Sequence, residues 1–261
     1  MSNIHVISPG RNPGGWAVRN CIESVKRQTL QPASHVVIDD ISDDDAPGVL
    51  KTFHNRKDIP YLKIVHNTER KYRLKNIYDH SITKDPEDII CIVDSDDWIA
   101  KEKALLEIKQ TYESNSKLEY AYSNFRCSCE EAPGQGDGPS DTIDRNIPSS
   151  DWDPYKAGWI TSHMCTFKVK ALRAIPTANF LDWNGNWFRM ATDHALAMPL
   201  LTTLRKRDGD YSAVKHINKV YYVYHWCSRY RGQDGGHDPL AEEAGKCAQF
   251  IRQRGYIEGV D

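Results

Sequence analysis

Ile89-Ile90-Cys91-Ile92-Val93-Asp94-Ser95-Asp96-Asp97-Trp98 is the stretch whose reading decides the fold. Its first half is an apolar run of Ile and Val type with no polar face, the mark of a central parallel strand covered on both sides. In open α/β sheets ligands sit beyond the carboxyl ends of the strands, so the acids that follow are delivered to a binding rim. Two carboxylates one residue apart repel each other unless something positive lies between them. Hard carboxylate oxygens suit Mg2+ or Mn2+, ions that keep water and substrate phosphate oxygens among their ligands. An Asp-x-Asp triplet is also an ordinary acidic turn, so its meaning depends on what surrounds it.

Outward from this strand the chain alternates. Upstream, Ile4 to Ser8 reads as a strand broken by Pro9-Gly10, with a turn at Gly14-Gly15. Val18, Cys21, Ile22 and Val25 then keep a helical period up to Gln28. A second strand, His35 to Ile38, runs into Asp39, Asp40, Asp43, Asp44 and Asp45, the last three reading as solvated or helix-capping acids. A helix over 46–53, a strand over 61–65 and a helix over 73–81 lead back to the quoted strand; a helix over 100–112 and a strand over 120–125 follow. This βαβ order predicts a Rossmann-like, mostly parallel sheet flanked by helices, with both acidic clusters on one rim.

Residues 130–153 are rich in Gly, Pro, Ser and Asp, so 127–157 is expected to be a flexible loop or lid. It separates a nucleotide-binding half, 1–126, from an acceptor-side half, 158–261, with a tail helix over 240–254. The 261 residues suffice for a stable core, and a net charge of -2 from 34 basic and 36 acidic residues points to no general polyanion binder. No apolar run approaches the roughly 20 residues that span a bilayer. Seven scattered cysteines and the absence of a leader-like N-terminus lead us to expect a cytoplasmic protein. His163 with Cys165 and His225 with Cys227 each place two soft ligands on one strand face, but core packing is the simpler reading than zinc.

Several ordered stretches resemble the family 2 glycosyltransferases, nucleotide-sugar enzymes of GT-A fold. Ile4 to Asn12 looks like the family's opening strand and loop, and Asn20 to Thr29 like its first helix, where "SIxxQT" is typical. Val36-Val37-Ile38-Asp39-Asp40-Ile41-Ser42-Asp43-Asp44 stands where the family has "VVDDGSxD", and Val93-Asp94-Ser95-Asp96-Asp97-Trp98 matches "LDxDD" before an aromatic. The resemblance covers residues 4–112 well and 159–231 loosely.

The resemblance implies that Asp39 or Asp40 reads the nucleobase and that Ser8, Pro9, Gly10 and Arg11 line the nucleoside pocket. Lys75 would stand in for an Arg near the nucleotide, beside Asn76 and with Asn67 upstream. Asp94, with Ser95, would face the ribose or the metal, and Asp96 would bind the metal. His225 falls where relatives carry a His near the metal. Arg229 and Arg231 follow it, and guanidinium groups bind phosphate oxygens bidentately. Ala191-Thr192-Asp193-His194 looks like the family's "EDxDL" segment, with Thr192 in place of Glu, which makes Asp193 the catalytic base and leaves Asp182 as its rival.

The function so implied is metal-dependent, inverting transfer of a sugar from a nucleotide diphosphate, with UDP the expected nucleotide. Polysaccharide and lipid acceptors come first. Hydroxymethylated DNA is less favoured and would need a basic surface built from Arg205-Lys206-Arg207 with Arg229, Arg231, Arg252 and Arg254. The alternatives are a nucleotide-sugar-binding module without turnover and a nucleotidyltransferase. The latter lacks a full Gly-rich, basic phosphate loop at Pro9 to Gly15.

Overall fold

The computed structural model describes residues 2–128, 146–157, 160–161, 163–225 and 239–259. Eight strands form one mixed sheet in the order β3-β2-β1-β4-β7-β6-β8-β5. Its first four are β1 (Ile4–Gly10), β2 (Ser34–Asp39), β3 (Leu62–His66) and β4 (Ile89–Ile92), all mutually parallel, as the βαβ reading requires. They are joined by α1 (Gly15–Lys26), α2 (Ala46–Lys51) and α3 (Tyr72–Ser81). Every residue of β4 is buried, as expected of a strand apolar on both faces.

Beyond β4 the sheet turns antiparallel. β7 (Cys165–Lys168) lies between β4 and β6 (Tyr120–Ser128), opposed to both. The long β8 (Val214–His225) runs parallel to β6, and a two-residue β5 (Trp98–Ile99) closes the edge against it. α4 (Ala104–Glu113), α5 (Val169–Arg173), α6 (Thr192–Asp208) and α7 (Pro239–Arg254) complete the layers. The two halves expected from sequence therefore share one sheet, because β7 and β8 come from the second half and pair with strands of the first.

The expected lid is only partly described, since 129–145 lie outside the described residues. Its last part packs rather than hanging free. Tyr155 is 8% exposed within the largest core cluster, and Trp152 lies against the Tyr211 ring. Arg252 of α7 donates to the carbonyls of Pro154, Tyr155 and Ala157, and Arg254 donates to those of Ala178, Asn179 and Leu181. Arg205 donates to Trp152 O, and Arg207 pairs with Glu119 and Asp208. The described arginines of the DNA-facing surface are thus engaged with the protein itself. Among the described residues no helix is long and apolar enough to cross a membrane.

Asp40 fixes how α3 begins. Its carboxylate accepts the Lys71 and Tyr72 backbone N–H groups at 2.9 and 2.8 Å, Asn67 Nδ2 at 2.7 Å and Arg70 Nε at 3.1 Å. Tyr72 sits at φ 61°, a costly conformation for a bulky residue, and the Asp40 bonds hold it there. Burial alone would raise the Asp40 pKa, but these donors outweigh it and leave the carboxyl below its ordinary 3.8. A depressed carboxyl stabilises the fold above its unfolded-state value and loses that contribution as pH falls below it. Asp40→Ala should cost about 2–4 kcal/mol in urea unfolding, and Asp40→Asn should flatten the fall in stability below pH 3.8.

Candidate active site

β1 ends between the two acidic clusters. On one side Asp40 N donates to Gly10 O; on the other Val93 N donates to Ile7 O at 3.1 Å and Ser95 N to Pro9 O at 3.2 Å. A Cβ on Gly10 would lie 1.7 Å from Ser95 Oγ, so only glycine lets the end of β1 meet the acidic turn this closely. Ser95 is 2% exposed, and its hydroxyl has no hydrogen-bond partner among the described residues.

The three acids of the turn have separate environments. Asp97 is buried and structural, accepting Tyr222 Oη–H at 2.6 Å and His225 N–H at 2.7 Å, so it ties β8 to the end of β4. Burial, then the charges of Asp96 and Asp94, raise its pKa well above the carboxylate range. Asp94 accepts Arg73 Nε at 2.6 Å, while its own N–H donates to Tyr222 Oη at 3.1 Å. Asp96 accepts no side-chain hydrogen bond among the described residues, and burial followed by the Asp94 carboxylate pushes its pKa up to about 6.

Arg73, in the first turn of α3, connects this turn to α6. Besides Asp94 it reaches Asp193 Oδ1 at 2.8 Å and Thr192 Oγ1 at 3.1 Å. Asp193 stands in the first turn of α6 with its side chain half-exposed. Burial would raise its pKa, but Arg73, assisted by His163 and His194, holds it below the ordinary carboxylate value. A cavity of about 70 Å³ adjoins Asp193, lined also by Tyr120, Thr161, His163 and Cys165. Asp182, the rival base, accepts the Asn184 and Asn186 N–H groups within a tight turn.

The donor set fits a hard divalent cation that takes part of its shell from substrate. Among the described residues no three His, Cys, Asp or Glu side chains converge closely enough to hold a metal unaided. Asp96, with neighbouring Asp94, offers the one or two carboxylates from which Mg2+ or Mn2+ is typically held. The His225 ring packs against Trp16 and Trp98, at centroid distances of 5.3 and 5.5 Å. His163 and Cys165 have packing partners without zinc: the His163 ring stacks on Tyr222 at 4.6 Å, and Cys165 Sγ lies 3.6 Å from Tyr120 Oη. Cys227 lies outside the described residues, as do Arg229 and Arg231.

Comparison with known proteins agrees with this architecture. The profile of Glycosyl transferase family 2 matches residues 12–175, well over half of the chain. The chain belongs to glycosyl transferase family 2. Among solved structures it is similar to TarS 1–349 of S. aureus in complex with UDP, at 16% identity and TM-score 0.56, covering 87% of this chain and 61% of that one. The same fragment with UDP-GlcNAc gives 17% identity and TM-score 0.55, covering 87% and 59%. The mannosyltransferase PcManGT of Pyrobaculum calidifontis, in complex with GDP-Man and Mn2+, gives 13% and 0.55, covering 95% of this chain and 69% of that one. This chain spans about three fifths of the TarS fragment. No curated protein matches it in sequence.

The family 2 profile contains the turn at Asp94 to Asp97 and ends before Asp193, whose place in the site rests on the Arg73 contact. The other expected residues have partners of their own. Ser8 faces inward, its hydroxyl bonded to His35 Nε2 at 2.9 Å, and Pro9 is buried behind it. Arg11 braces the 41–43 loop through Ile41 O and Asp43. Asp39 pairs with His66 at 2.9 Å and accepts Ser42 N–H, on the same rim. Lys75 pairs with Asp79 and lies 5.1 Å from the Trp187 ring centroid, away from the acidic turn. Asp44 and Asp45, read as solvated or helix-capping, stand at the start of α2, with Asp44 accepting the Ala46 N–H, and they also accept the Gly14 and Gly15 N–H groups ahead of α1.

Arg73, Tyr222 and Trp16 were not singled out from sequence. Arg70, Lys71, Arg73 and Lys75 crowd one stretch, and spacing alone does not say which cation turns inward. Arg73→Met leaves Asp94 and Asp193 without their shared cation. Urea unfolding at pH 7 should show a loss of about 2–4 kcal/mol. The loss should shrink as pH falls toward the carboxylate range, because burial raises the Asp193 carboxyl once Arg73 no longer holds it low, and its protonation then stabilises the variant.

Proposed function

We propose that this chain is a metal-dependent, inverting glycosyltransferase that moves a sugar from a nucleoside diphosphate to an acceptor hydroxyl. The observation that carries the reading is Arg73, whose one guanidinium touches both Asp94 and Asp193. One side chain thereby brings a donor-side carboxylate and a candidate base to the same rim of the sheet. Asp193 accepts the proton of the acceptor hydroxyl as its oxygen bonds to the anomeric carbon. The bond from that carbon to the diphosphate oxygen breaks on the opposite face, and the nucleoside diphosphate leaves with the electron pair.

Asp96, aided by Asp94, would hold Mn2+ or Mg2+, which when bound supplies positive charge for the diphosphate oxygens. In support, PcManGT was solved with GDP-Man and Mn2+. UDP is the favoured nucleotide, since TarS was solved with UDP and with UDP-GlcNAc. Asp39 would read the base, with Gly10 lining the nucleoside pocket and Asp94 toward the ribose or the metal. Arg73 keeps Asp193 ionised and aimed in the free protein. Diphosphate oxygens drawing on the same guanidinium would return basicity to Asp193 as the donor seats. For the acceptor, a polysaccharide or lipid hydroxyl is preferred to DNA, because Arg207 is paired with Glu119 and Asp208 and Arg254 is held by the carbonyls of Ala178, Asn179 and Leu181.

Released nucleoside diphosphate, followed with a panel of UDP-sugars and acceptors, tests the assignment. Asp193→Asn should lower turnover by about 10²- to 10⁴-fold, the usual weight of a general base, with donor affinity little changed. Asp182→Asn should retain activity. Turnover in Asp193→Asn close to that of the wild type would place the base elsewhere.

A further inference from the structure

α6 carries Asp193 in its first turn and Arg205 in its last, roughly 18 Å apart along the helix at 1.5 Å per residue. Beside Arg205 a second cavity opens between the 153–156 segment and the C-terminal ends of α6 and α7. Its volume is about 620 Å³, within the range of small-molecule sites. It shares no residue with the cavity at Asp193. The lining bears four cations, Lys156, Arg205, Lys206 and Arg252, against the single carboxylate of Asp153.

Two of those cations are already paired, Lys156 with Asp153 at 3.4 Å and Lys206 with Glu258. The half-buried Arg205 and Arg252 stand in no ion pair among the described residues: Arg205 donates to Trp152 O at 3.3 Å and meets the Tyr211 hydroxyl, and Arg252 donates to Ala157 O at 2.8 Å. Among the described residues neither meets a carboxylate. Tyr155 and Thr202 line the same cavity, and the hydroxyl of each lacks a hydrogen-bond partner among the described residues. Tyr155 is only 8% exposed. A buried hydroxyl without a partner and a half-buried guanidinium outside any ion pair each cost free energy, and one group removes both costs: an anion rich in acceptor oxygens. Phosphate fits, since Arg binds its oxygens bidentately and hydroxyls donate to it.

We propose that this cavity is a second ligand site, separate from the transferase centre, that binds a phosphorylated small molecule through Arg205, Arg252, Tyr155 and Thr202. Its volume accommodates more than a bare ion and suits a phosphomonoester of a sugar-sized polyol. The proposal does not depend on the transferase reading.

Isothermal titration of the full chain with glucose 6-phosphate, inorganic phosphate and glucose tests it. The expected result is saturable binding of glucose 6-phosphate that excess UDP does not displace, with no binding of glucose. Equal affinity for inorganic phosphate would make free phosphate the ligand and keep the site. Arg205→Met should weaken binding by about tenfold or more, the weight of a charge-assisted hydrogen bond. Tyr155→Phe removes only an unbonded hydroxyl, so it should keep the urea midpoint while weakening binding by about threefold or more. No saturable binding of either phosphate up to about 10 mM, equal binding of glucose, or affinity unchanged in both variants would overturn the proposal.

Discussion

The contact on which the site depends is the double ion pair of Arg73. At the C-terminal rim of the sheet, Asp94, Asp96 and Asp97 follow one another with no basic residue among them. Such a group of acids is costly at the edge of a core unless protons or cations neutralise it. Asp97 is met by Tyr222 and the His225 backbone, Asp94 by Arg73, and Asp96 by no side chain among the described residues. Because Arg73 also reaches Asp193, the neutralisation of Asp94 draws the start of α6 against the end of β4. Electrostatic need at the rim and assembly of the candidate site are thus the same event.

That arrangement rests on backbone decisions made elsewhere. Gly10 admits the acidic turn against β1, and Asp40 holds Tyr72 in the strained conformation from which α3 begins. α3 then presents Arg73 inward and Lys75 outward to Asp79. A two-residue difference on a helix is a rotation of about 200° at 3.6 residues per turn. Arg73 and Lys75 therefore face nearly opposite sides, and a motif alignment that slips by two residues exchanges one cation for the other.

Much of the fold was legible in the sequence because buried parallel strands carry an unmixed signal. The Ile89 to Val93 run, the βαβ alternation and the placement of both acidic clusters on one rim all follow from local patterns, and each is found in the structure. Less legible was everything that depends on long-range pairing. Nothing local announces that β7 inserts between β4 and β6, or that Tyr222 of β8 reaches Asp97. The acids at 94, 96 and 97 look alike in sequence, yet one is structural, one is paired with Arg73 and one meets no side chain among the described residues. That division is set by neighbours more than a hundred residues away in the case of Asp97. The arginines of α6 and α7 are illegible for the same reason: as a run they read as one basic surface, whereas folded Arg205, Arg252 and Arg254 each also donate to a loop carbonyl brought near by the chain.

The central claim, that the acidic turn is a nucleotide site completed by a divalent cation, is tested most directly by calorimetric titration of UDP with and without Mn2+, on the wild type and on Asp96→Ala. The account predicts binding that Mn2+ strengthens and that Asp96→Ala abolishes. UDP binding of equal strength with metal, with chelator and in Asp96→Ala would contradict it.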